Sequence, residues 1–379
     1  MEEDSIHPVR RDYINIQIMN NQTKISAVLP CYNVAKYLPR CLDSLLRQNF
    51  EEWEAILIDD GSSDETLAIA EEYAQRDARF KVFHFDNQGV SAARNEGFKR
   101  VQGEVTQFID PDDFIEDKCF STVWRVYESH RPDMIHFNKW RYHYDHPGEK
   151  LTDDELVNET FVGGGILKQY TQALVGIGTE ALQHWYKGEN LWYYKKPWAV
   201  WQFAFKTEML RKNKLQFQPH VKNNEDAMFV VECSIYAQSV VCISDYLYNY
   251  DFRKDGALFS RVNSKDKIFY DKYVLIAERE RLRKLVKQVD LVDNYCGSQV
   301  FSCIQLCVSL SSSGYAGYRQ CKKYICDKHV QDSIRRVPIK GAPLKFRIPV
   351  LLLKCHMQWL LFALIYLLSK FGMADKLKA

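Results

Sequence analysis

EVTQFIDPDDF, residues 104–114, is a β-rich run that ends in carboxylates: Asp110, Asp112 and Asp113 fall within four positions, broken only by Pro111. Like charges at that spacing repel, so a plain surface turn gains nothing from them. A divalent cation shared with a diphosphate would make the arrangement favourable, because magnesium and manganese take oxygen ligands from one or two carboxylates plus phosphate and water.

The same grammar recurs upstream. ISAVL (25–29) reads as a buried strand closed by PCYN, and Leu38, Leu42, Leu45 and Leu46 then recur at helical spacing, with Pro39 tolerated in a first turn. EAILIDD (54–60) is a second strand ending in Asp59 and Asp60, and Ser62 and Glu65 have the spacing of a capping box for a helix to about Ala78. Asp64 fits either a cap or a functional role. FKVFHF (80–85) is a third strand, residues 88–101 a short helix, EVTQFID (104–110) the fourth strand and PDMIHFN (132–138) a fifth. Strand–helix–strand units of this length imply a mostly parallel sheet with helices on both faces and ligands at the carboxyl ends of the strands. The clusters at 59–60 and 110–113 are therefore expected in one crevice, although some fifty residues separate them.

Four segments, AVLPCYNVAKYLPRCLDSLLRQ, ILIDDGSSDET, NQGVSAARNEGF and FIDPDDF, resemble in order and spacing the family 2 glycosyltransferases of GT-A, Rossmann-like fold. The likeness is dense from 25 to about 115 and resumes weakly at 198–217 and 223–229. It implies an inverting transferase using a nucleotide sugar, most often a UDP-sugar, with Mn2+ or Mg2+. Pro30 and Tyr32 match positions that hold the base, Tyr32 by stacking, and Asp60 one that accepts a hydrogen bond from it. Arg94 matches a position near the nucleotide or phosphates. Asp110, Asp112 and Asp113 match the DxD region, Asp112 nearest the ribose and Asp113 as the direct metal ligand, with Asp110 beside it. Asp226, in the Glu225–Asp226 pair, matches the catalytic base; from the residues alone that pair reads as an exposed helix start.

Other enzyme classes fit less well. A dinucleotide-binding dehydrogenase needs GxGxxG after the first strand, where this chain has PCYNVAKYL. A nucleotidyltransferase needs a glycine-rich loop there too. A haloacid-dehalogenase-type phosphatase places its nucleophilic aspartate after the first strand, not the fourth. A catalytically inactive nucleotide-sugar or glycan-binding module is the alternative from another class, and the intact acidic pairs read against it.

The chain as a whole divides unevenly. Residues 1–24 form an extension, 25–262 the transferase domain, 263–345 a helical appendage and 346–379 a hydrophobic and basic tail. Net charge is +2, but from Arg335 onward nine Lys/Arg face one acid, leaving 42 basic against 48 acidic residues elsewhere. A main body that is not basic argues against a nucleic-acid partner. Eleven scattered cysteines without a CxxC pair read as free thiols of a reducing cytosol. MEEDSIHPVRRDYINIQ is polar where an export signal would be basic and then apolar.

Less of the second half is assigned. VGGGI (162–166) reads as a loop, the four Trp and three Tyr from Trp185 to Trp201 as either core or acceptor-side surface, and VVCIS (240–244) as a strand followed by Tyr246, Tyr248, Tyr250 and Arg253, able to close the site. FRIPVLLLKCHMQWLLFALIYLLSKF (346–371) is the most hydrophobic stretch, but Lys354 and Lys370 enclose only fifteen residues, fewer than the roughly 20 a bilayer span needs. An interfacial helix on the inner face of the cell membrane, serving a glycan or lipid-linked acceptor, is the expectation. A helix buried against the appendage, or in a homodimer interface, is the alternative.

Overall fold

The computed structural model describes residues 23–143, 146–152, 156–189, 199–221, 224–253, 278, 281, 291–371 and 373. Its N-terminal half is built on β1 (Ile25–Cys31), β2 (Trp53–Asp60), β3 (Phe80–Phe85) and β4 (Val105–Phe108), separated by α1 (Leu38–Leu46), α2 (Thr66–Arg76) and α3 (Val90–Phe98). These four strands are all parallel, in the order β3-β2-β1-β4. The chain moves outward from β1 to β3 and then crosses to the other side of β1, which opens a crevice beyond the carboxyl ends of β1 and β4.

Alternation along each strand explains why both faces are covered. Ala27, Leu29 and Leu57 join one apolar core, whereas Val28, Ile56 and Ile58 join the other. Gly97 lets α3 lie close on the second face, since a Cβ there would stand 2.4 Å from Val28 Cγ1.

Beyond β4 the sheet becomes mixed. After β5 (Phe114–Ile115) and α4 (Cys119–His130) come β6 (Met134–His143), β7 (His146–Leu151), β8 (Glu159–Val162), α5 (Gly164–Val175) and α6 (Thr179–Tyr186). Then follow β9 (Phe203–Lys206), α7 (Thr207–Lys212), α8 (Glu225–Tyr236) and β10 (Ser239–Phe252). β9 runs antiparallel between β4 and β6, and the fourteen-residue β10 is parallel to β6 and antiparallel to β5.

Three local expectations change. The Ser62–Glu65 capping box does not form: Glu65 makes no side-chain cap, and Ser62 Oγ instead accepts the Asn33 amide at 3.0 Å. The hydroxyl is drawn off because the loops after β1 and β2 pack together. The glycines of VGGGI do not stay a loop; Gly164 opens α5. The expected helix over 264–290 lies outside the described residues, apart from Glu278 and Arg281.

The remaining helices are α9 (Leu291–Leu310), α10 (Gly314–Ile325), α11 (Lys328–Arg336), α12 (Leu344–Lys354) and α13 (Gln358–Lys370). They enclose a third apolar core that also takes in Leu182 of α6. The hydrophobic stretch 346–371 is thus two helices, broken at Cys355–Met357, where His356 has a φ of +55°. Among the described residues no helix is long and apolar enough to cross a membrane. Of the eleven cysteines nine are buried, and all are free.

Candidate active site

The loop after β1 is fixed before any ligand is considered. Asn33 Oδ1 accepts the Ser63 amide at 2.8 Å, Val34 donates its amide to Thr66 Oγ1 at 2.8 Å, and Ala35 donates to Asp64 Oδ2 at 3.1 Å. Burial opposes ionisation of Asp64, but the hydrogen bonds from Thr66 and Ala35 outweigh it and hold the carboxyl below its ordinary range. Asp64 therefore clamps the two loops together. Held this way, Tyr32 is left 50% exposed at the mouth of the crevice. Pro30 lies two residues past the last β1–β4 pair, Val28–Phe108, where its missing amide takes nothing from that ladder.

Asp60 ends β2 and is buried. Its two carboxylate oxygens accept the amides of Gln88 and Gly89, each at 2.8 Å, so it caps the approach to α3. Gly61, at φ +74°, makes that turn possible, because a Cβ would meet the Asn87 nitrogen at 2.8 Å. A base would reach only the lone pairs these amides leave. Asp59 holds His84 Nδ1 at 2.7 Å. Burial first, and then the charges of Asp59 and Asp112, push the Cys31 thiol up.

Asp110, Asp112 and Asp113 each present a carboxylate oxygen within 4.8 Å of the others. Each is held differently. Asp113 is buried, with Oδ2 accepting the Tyr248 hydroxyl and Oδ1 the Asp251 amide, both at 2.9 Å. Tyr248 is itself wedged by the parallel ring of Trp201, 4.5 Å away. Asp112 pairs with Arg253, whose guanidinium also donates to the Asp112 carbonyl at 2.9 Å and lies over the Tyr37 ring at 3.9 Å. Arg40 reaches the same carbonyl at 2.9 Å and Asp251 at 2.8 Å.

Burial, then repulsion from Asp110, raises the Asp112 carboxyl against the pull of Arg253. Burial, then Asp112 and Asp110, raises Asp113 well above the usual carboxylate range. Three carboxylate oxygens this close together are a donor set that fits a hard divalent cation.

Arg94 joins this cluster to a second one. It is only 3% exposed, and it donates to Asp110 Oδ1 at 2.8 Å and to Glu225 Oε1 at 3.0 Å. Burial alone would favour neutral arginine, but Asp110 and then Glu225 hold the guanidinium charged. Its two arms are engaged by carboxylates, so in this structure Arg94 acts as a strut between acidic pairs. Asp226, next to Glu225 in the first turn of α8, takes a hydrogen bond only from its neighbour Ala227 among the described contacts. Burial, and then the Glu225 charge, push its carboxyl up to about 7, with Arg94 pulling the other way. The helix start read from the sequence is real, but it is packed inward.

Two partners were not legible as site residues: Arg40 and Asp251 reach the loop from distant elements. Tyr248 and Arg253 carried a signal, as polar groups following an apolar strand, and Trp201 carried one within the aromatic stretch 185–201. From Trp185 to Trp201 the aromatics divide, Trp185 joining the helical core and Trp201 the site; residues 190–198 lie outside the described residues.

A parallel β1–β4 half with a cluster of carboxylates at its switch point, followed by a mixed second half, defines a GT-A fold. Residues 26–185 match the family described as Glycosyl transferase family 2. The chain is similar to the uncharacterized glycosyltransferase EpsJ of Bacillus subtilis, 30% identical over 226 residues, 60% of each chain. It also resembles the poly(ribitol-phosphate) beta-N-acetylglucosaminyltransferase TarS of Staphylococcus aureus, 24% identical over 67% of this chain and 40% of that one. The match spans about 60% of the length of the first curated relatives. The crystal structure of S. aureus TarS 1–349 with UDP-GlcNAc shares the fold, with a TM-score of 0.60, 20% identity and 92% of each chain covered.

Proposed function

We propose that the chain is an inverting, metal-dependent glycosyltransferase that moves a sugar from a nucleotide diphosphate, UDP in the first instance, to a glycan or lipid-linked acceptor of the cell surface. The observation that carries this reading is Arg94, which couples the aspartates at the end of β4 to the acidic pair opening α8. TarS, with its UDP-GlcNAc complex, supports the choice of nucleotide and of a cell-surface polymer. Residues 25–262 would carry the transfer, while 263–379 would serve the acceptor side at the inner face of the membrane.

In the chemistry proposed, Tyr32 stacks on the base and Asp60 orders the loop beneath it. Asp113 and Asp110 would hold the cation, Asp112 would stay by the ribose, and Arg94 keeps Asp110 in place through its hydrogen bond. A cation bound there supplies positive charge to the departing diphosphate. Asp226 accepts the proton of the acceptor hydroxyl as that oxygen bonds to the anomeric carbon from the face opposite the phosphate. The bond from the anomeric carbon to phosphate breaks, its electron pair leaves with the nucleoside diphosphate, and the configuration inverts. A base raised to about 7 suits this step, since it holds a captured proton better than an ordinary aspartate would.

A panel of nucleotide sugars with and without Mn2+ tests the reading by donor hydrolysis and by thermal shift. One donor should be hydrolysed in a metal-dependent way. Stabilisation by a donor with no turnover, on any acceptor tried, would favour an inactive binding module instead.

A further inference from the structure

The hydrophobic C-terminal stretch has two faces. On the inner one, Val350, Leu353, Leu361 and Ile365 have no exposed surface and complete the helical core. That settles half of the sequence-level alternative: the segment is packed against the appendage. On the outer one, Ile348 and Leu351 of α12 and Trp359, Leu364, Leu367 and Phe371 of α13 or its end are exposed. Trp359 is 55%, Leu367 56% and Phe371 75% exposed, values unlike those of side chains filling a core.

The spacing is regular. Leu344, Ile348 and Leu351 follow one stripe of α12, with Lys345 and Arg347 exposed on either side of it. Trp359, Ala363 and Leu367 follow one stripe of α13, which ends in exposed Lys370. An apolar stripe rimmed by cations is the pattern of a helix lying in a lipid interface. The region from Arg335 onward has nine basic residues and one acid. A second copy docked on this face would bring like charges together, whereas an anionic leaflet would neutralise them. The charge therefore selects lipid over self-association.

We infer that the outer face of the α12–α13 hairpin docks on anionic lipid, inserting Trp359, Leu367 and Phe371 among the acyl chains while Lys345, Arg347 and Lys370 meet the headgroups. This deepens the membrane placement proposed with the transferase reading. It replaces one interfacial helix by a hairpin whose inner face is structural, so docking needs no unfolding of the domain.

The test is co-sedimentation of the full chain with phosphatidylcholine vesicles, with or without phosphatidylglycerol. The parent should bind the anionic vesicles and lose most binding on the neutral ones or in high salt. The triple variant W359S/L367S/F371S should bind at least roughly tenfold more weakly, since each side chain loses apolar burial in lipid. The variant K345E/R347E should also fall roughly tenfold or more, and it carries the test if the triple variant fails to fold. Parent protein that ignores anionic vesicles, or a folded triple variant that binds like the parent, overturns the inference. So does light scattering that finds the parent dimeric and the triple variant monomeric, which would make the face a contact between copies. Donor hydrolysis without vesicles separates the two readings: if it is intact while vesicle binding is absent, only the lipid face is lost. If vesicles bind and no donor is ever hydrolysed, the transferase reading fails alone.

Discussion

The loop after β4 and the first turn of α8 each carry adjacent acids, and the fold treats them oppositely. Asp113 is buried with both oxygens bonded, by Tyr248 and by the Asp251 amide, and Asp112 is paired with Arg253. Among the described residues Asp226 is given only the amide of its own turn, and its carboxyl is pushed up to about 7. An acid held in place by several donors is suited to fixing a ligand. An acid given few donors keeps more of its oxygen lone pairs available to take a proton. The two pairs look alike in the sequence, and their hydrogen bonds set them apart.

The sharpest way to break this comparison is Asp226→Asn, which keeps shape but removes the proton acceptor. Transfer should fall by about 10³-fold or more, within the range general-base catalysis supplies, with donor affinity retained in calorimetry. Joint loss of affinity and turnover would move Asp226 into the binding set. Asp113→Ala should cost roughly 10²-fold in turnover and weaken UDP in Mn2+, while binding of free uridine stays near parental. Equal loss of uridine and UDP would show that Asp113 supports the fold instead of the diphosphate.

Next in size is Tyr32→Ala, which should raise donor KM roughly tenfold, because a stacked base contributes about 1–3 kcal/mol. Its turnover number should hardly change. A separate expectation concerns stability. The Asp226 carboxyl has a folded pKa above its unfolded value, so the folded state binds the extra proton between about 4 and 7 and stability falls as pH rises through that window. Asp226→Asn should therefore raise Tm at pH 8 and leave it almost unchanged at pH 4. The parent's kcat/KM should also climb as pH rises through about 7, and Asp226→Asn should lose that limb. A Tm gain that is equal at both pH values would mean that the carboxylate's charge is not the source of the cost.

Much of this was legible in the chain itself. Short, largely apolar β-rich runs located β1 to β4 to within one or two residues, because a strand buried on both faces tolerates little else. Aspartates at two strand ends announced the crevice, because strand ends in a parallel sheet converge at one edge. The second half was less legible. Four-residue β9 and two-residue β5 are too short to leave a periodic pattern, and they form because β4, β6 and β10 offer open edges.

Sequence alone determined the parallel half, the positions of the acids and the amount of apolar and basic surface near the C-terminus, since these depend on local periodicity and composition. Tertiary structure alone decided what each acid is bonded to and which way the C-terminal side chains face. Arg94 meets Glu225 across 131 positions of sequence, and Tyr248 meets Asp113 across 135. No local pattern encodes partners that far apart; only packing brings them together, and packing sets both their hydrogen bonds and their basicity.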